Sequence, residues 1–195
     1  MQYLFSMKKL IVITAFIIAA FSSCGPSEQK RQDANDVYSE TLGIINEVNT
    51  HDSEYVYCMQ YLLREIQSPD LKKNKKKLKS ITDSISLLDA ACDSLAIVIA
   101  EAKTKTEKLN VEKPDMELTE AADSLLSKYN TITQNIYQDI NQKMKKISLP
   151  VKDSEYTALL RLSYRADSVL NAAVTNFNTE SAAFYEKYGL KDLKK

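Results

Sequence analysis

Apolar residues return every third or fourth position over most of this chain, and polar residues fill the steps between them. That spacing keeps one face of a helix apolar for many turns. Four such stripes are present. The first is Thr41, Ile44, Val48, His51, Tyr55, Cys58, Leu62 and Ile66, on a helix expected from about Asp33 to Gln67. The second is Leu78, Ile81, Ile85, Leu88, Cys92, Leu95, Ile99 and Ala102, on a helix expected to start at Ser68-Pro69-Asp70. Its alternation of three and four is the spacing of a coiled-coil seam. The third runs Leu118, Ala122, Leu125, Tyr129, Ile132, Ile136, Ile140, Met144 and Ile147, after Pro114-Asp115. The fourth begins near Asp153-Ser154 and carries Tyr156, Leu159, Leu160, Leu170, Val174, Phe177, Phe184 and Tyr188. Gly189-Leu190 then reads as a left-handed helix end. The polar run Asn49 to Ser53 is the one place where the first helix is expected to bend or break.

Pro69, Pro114 and Pro150 separate the four stripes, and proline fits a helix only in its first turn. Short connections make successive helices antiparallel neighbours. The pattern therefore predicts an all-α fold, an elongated up-down-up-down four-helix bundle over residues 33–190 with a short tail at 191–195. Composition narrows this further. Three glycines leave little material for β-turns or glycine-rich phosphate loops. Lys and Arg balance Asp and Glu, 26 against 26, so no nucleic-acid partner is expected.

The N-terminus follows a different rule. Met7-Lys8-Lys9 precedes an apolar run from Leu10 to Phe21, interrupted only by Thr14, which is followed by Ser22-Ser23-Cys24. Met1 to Ser6 adds no charge, so the pattern itself starts at Met7. The run is shorter than the ~20 residues a membrane span needs and fits the core of a secretory signal. With a cysteine at the cut, Met7 to Cys24 resembles the signal and lipobox of bacterial lipoprotein precursors, with Phe21 where an aliphatic residue is usual. The resemblance implies removal of residues 1–23, acylation of Cys24, a membrane partner reached through the acyl chains, and a place in the cell envelope. Two or more chains on one residue give stable anchoring where one is marginal. Cys24 to Gln32 then reads as a flexible tether. In style the chain is also similar to helical lipoproteins of Bacteroidetes, a likeness that carries no functional residues.

Candidate chemistry is sparse. His51 is the only histidine, and it lacks the second histidine and the Glu-x-x-His spacing of a di-metal bundle site. No metal or other cofactor and no catalysis are expected. Cys58 and Cys92 could pair across the first hairpin, but a turn at Ser68-Pro69 puts them far out of level, so two separate buried thiols are expected. Asp-Ser-aliphatic recurs at Asp83, Asp93, Asp123 and Asp167, and reads as the boundary between polar and apolar faces, with the aliphatic turned inward. Lys72, Lys73, Lys75, Lys76, Lys77 and Lys79 form the densest charge run. The topology places them, with Lys143, Lys145, Lys146 and Lys152, at the end away from the anchor. The sequence thus favours an anchored binding or scaffolding protein whose lysine-rich end docks an acidic envelope glycan or protein. The alternative is a bundle that binds a small ligand or metal through His51, Tyr55 and Tyr129.

Overall fold

The computed structural model describes residues 26–68, 71, 74–114 and 116–192. Cys24, Lys72 and Lys73 lie outside these residues. The chain folds as four long antiparallel helical rods. They are α1 (Glu28–Ile66), α2 (Lys75–Glu112), a third rod built from α3 (Leu118–Ile132), a π-helical turn (Thr133–Tyr137) and α4 (Gln138–Lys146), and α5 (Asp153–Lys187). A 3₁₀ turn, Leu190–Asp192, follows. No β-strand occurs among the described residues. The all-α up-down-up-down bundle expected from the periodicity is what forms. At 1.5 Å per residue α1 is close to 60 Å long.

Helix α1 starts at Glu28, inside the stretch expected to be a tether. Ser27 supplies the reason: its Oγ accepts the Lys30 N–H at 3.2 Å and caps the first turn. Arg31 then donates to the carbonyls of Gly189 (2.8 Å) and Tyr188 (3.3 Å), tying the first helix to the end of the last. The expected break at Asn49–Ser53 does not occur. Thr50 and Ser53 bond back to the carbonyls of Asn46 and Asn49, so these side chains satisfy themselves on the helix rather than ending it. Helix α2 starts at Lys75, later than expected, with Asn74 as its cap, accepting the Lys77 N–H at 3.1 Å. Glu155 reaches back to the Lys152 N–H at 3.3 Å and opens α5. Gly189 ends it with φ 59°, the left-handed conformation that glycine adopts without strain.

One core runs the length of the bundle. Val48, Tyr55, Leu62, Leu88, Leu95, Ile99, Leu126, Tyr129, Ile140 and Leu159 are all at most 1% exposed. The helices do not share this core equally. Helix α5 buries Leu159, Ser163 and Ala166 near its start and Phe177, Ser181 and Phe184 near its end. Between them Leu170, Ala173 and Val174 are only half-buried.

Candidate functional site

Two places carry chemistry beyond packing: the lysine-rich end and a seam of polar groups buried at mid-height.

At the lysine-rich end, Lys75, Lys76 and Lys79 are exposed in the first turns of α2. Lys77 is not part of that free charge. It is half-buried, paired with Glu65 at 2.9 Å and bonded to Ser68 at 2.9 Å, which stitches α2 to the end of α1. The α4–α5 connection lies at the same end. There Lys143 pairs with Asp139, and Lys145 with Asp89 at 2.7 Å. Lys143, Lys146, Ile147, Glu155, Ala158 and Leu159 line an open groove of about 210 Å³ between α4 and α5.

The seam was not foreseen. On α1 the inward line is Val48, Asp52, Tyr55, Met59 and Leu62, so Asp52 and Met59 are buried where His51 and Cys58 were expected. Both His51 and Cys58 are half-buried at the flank. The Tyr137 hydroxyl donates to Asp52 Oδ1 at 2.9 Å. The Tyr55 hydroxyl donates to Asn141 Oδ1 at 3.0 Å, and its ring stacks on Tyr137 with centroids 4.1 Å apart. Asn141 Nδ2 donates to Asp89 Oδ1 at 3.4 Å. Tyr129 donates to Asn49 at 3.4 Å. Every rod but the last supplies a member, and the half-buried Asp167 of α5 is near enough to act on Asp52 by its charge.

The π-helical turn makes this arrangement. In it Gln138 N–H bonds to the Thr133 carbonyl, one residue further than in an α-helix. The sequence carries a trace of the insertion. Ile132, Ile136, Ile140 and Met144 are three successive steps of four, each overshooting the helical face by about 40°. A widened turn absorbs part of that drift and brings Tyr137 and Asn141 inward beside Ile140.

Burial dominates the electrostatics. Desolvation pushes the Asp52 carboxyl up to about 6; the Tyr137 hydrogen bond acts the other way, and Asp167 adds a smaller upward push. Desolvation also raises Asp167, Tyr55, Tyr129 and Tyr137, and takes the Cys92 thiol to about 11. The three tyrosines and Cys92 therefore keep their protons, while Asp52 gives its proton up near pH 6.

His51 Nδ1 lies 3.5 Å from Ser94 Oγ and 3.6 Å from Glu54. Tyr55, proposed as a ligand group, is committed to Asn141. Cys58 and Cys92 are free thiols, with Cys58 half-buried rather than buried. The cross-helix pairs Asp33–Lys113, His51–Ser94 and Glu65–Lys77 centre the first hairpin near residue 72, not at Ser68-Pro69. The two sulfurs are still about six residues out of level, roughly 9 Å. The Asp-Ser-aliphatic boundary holds at Leu95 and Leu125, which are buried, and fails in α5, where Val169 is exposed and Asp167 is half-buried. No group of three or more His, Cys, Asp or Glu among the described residues is placed to hold a metal ion. No described helix is long and apolar enough to cross a membrane.

Compared with protein-family models, curated proteins and solved structures, the chain matches none.

Proposed function

We propose that this is a lipid-anchored envelope protein, held by acyl chains on Cys24, whose bundle stands off the membrane and binds an acidic glycan or protein at its lysine-rich end. The observation that carries the reading is the polarity of the rod. Helix α1 begins at Glu28, four residues after Cys24, and runs 39 residues before the chain reaches Lys75, Lys76 and Lys79. Lys146 and Lys152 reach the same end from the α4–α5 connection. Clustered exposed cations attract polyanions with a strength that falls as salt rises. A binding or scaffolding role is favoured over catalysis because the reactive side chains of the core, Asp52, Tyr137, Tyr55 and Cys92, are sequestered and engaged with one another or the backbone. Lys77 belongs to the fold more than to the docking surface.

The test is retention of the acylated protein on an immobilised acidic polysaccharide at low salt. Replacing Lys72, Lys73, Lys75, Lys76 and Lys79 with serine should abolish retention, while Lys77→Ser should mainly lower stability. Retention unchanged by the fivefold replacement would remove the docking role. Mass spectrometry of the envelope protein checks the anchor separately, as an N-terminal Cys24 carrying fatty acyl mass.

A further inference from the structure

We propose that Asp52 and Asp167 form an acid-strengthened clasp, which lets the middle of α5 seat against the bundle when Asp52 is protonated and loosens it when both carboxylates are charged. The inference is independent of the lysine-rich end.

Three observations carry it. The first is position. Arg31 meets Tyr188 and Gly189, and Tyr38 stacks on Phe184, so the antiparallel register of α1 and α5 sets Asp52 level with Asp167. The second is the absence of a compensating cation. Asp52 is 6% exposed, and among the described residues no Lys, Arg or His pairs with it or with Asp167. Its one donor is the Tyr137 hydroxyl. The groups it faces are Tyr55 on its own helix, Tyr129 on α3, Tyr137 on the π-helical turn and Asp167 on α5. All three tyrosines stay neutral, so none can offset a second negative charge. The third is the weakness of α5 at this point. No residue of α5 between Ala166 and Phe177 is fully buried, so little apolar contact opposes a local opening.

The mechanism needs no partner. A protonated Asp52 is neutral and hydrogen-bonded to Tyr137, so it costs less to bury than the carboxylate. An ionised one is paired only with a hydroxyl and faces a like charge, so opening toward water relieves it. Desolvation raising both carboxyls agrees with this geometry.

Hydrogen exchange on the intact protein tests the clasp. Amide exchange in residues 163–177 is compared at pH 5.0 and 7.5 after correction for intrinsic rates. If Asp52 regains its ordinary acidity on opening, the opening constant should rise about tenfold between the two pH values. Exchange in α2 should change much less. In Asp52→Asn, which keeps an acceptor for Tyr137, the pH dependence of α5 should vanish. Asp167→Asn, at a half-exposed position, should reduce it without unfolding risk. Equal corrected exchange at both pH values, or a pH dependence that survives in Asp52→Asn and Asp167→Asn alike, would overturn the proposal.

Discussion

Asp52 shows how one residue can set a pH dependence for the whole chain. Its carboxyl holds a proton to about pH 6 in the fold against an ordinary value of 3.8. The folded state therefore binds the extra proton between those limits, and stability from this group falls as pH rises from about 4 to 6. The full span corresponds to roughly 3 kcal/mol. Asp52→Asn should raise stability at pH 7.5 by about 1–3 kcal/mol and flatten the stability profile between pH 4 and 6, as measured by urea unfolding. The two bundle cysteines give a second residue-scale check. Cys58 is half-buried, and Cys92 is buried with a raised thiol pKa. A thiol reagent on the folded protein should modify Cys58 and spare Cys92 until denaturant is added, with peptide mapping reading the difference. Neither distinction is legible from spacing. Asp52 and His51 are adjacent on α1, and a rotation of 100° decides which one faces the core.

Among the elements, α1 carries its own weak point. Gly43 sits in the helix interior, and a Cβ there meets nothing within 4 Å. Gly43→Ala should raise the unfolding free energy by about 0.5–1 kcal/mol, since only backbone freedom in the unfolded chain is lost. The third rod tests the π-helical turn. Deleting Gln134, an exposed residue of that turn, should convert it to plain α-helix. Because the turn holds one extra residue, α4 should keep its phase relative to α3, and Tyr137 should stay beside Asp52. The variant should remain helical by far-ultraviolet circular dichroism and unfold at a denaturant concentration close to that of the parent, whereas deleting exposed Thr131, outside the turn, should lower it. The elements themselves were legible in the sequence because each stripe is long. Their ends were less so: Ser27 and Asn74 cap α1 and α2, whereas periodicity pointed to Asp33 and Ser68, since a cap is a local hydrogen bond with no period.

For the whole molecule, closure depends on how the first helix meets the last. Arg31 clips the end of α5 through two carbonyls, while the seam and the half-buried middle of α5 leave that interface the thinnest in the bundle. Arg31→Ala should cost about 1–2 kcal/mol by urea unfolding and increase exchange in residues 181–189 before it affects α2. The amino-acid sequence by itself determined the all-α class, the four rods and their antiparallel order. These follow from periodicity and prolines, which act over neighbours in the chain. It also marked the lysine run near residue 75 and the apolar run that ends at Cys24, both contiguous. Only the tertiary structure decided that Asp52 turns inward, that Lys77 is an internal strut, and that Tyr137 donates to the Asp52 carboxyl. Those outcomes depend on helix rotation and on the register of residues up to about 160 positions apart. Such distances are fixed by packing, and nothing local in the chain encodes them.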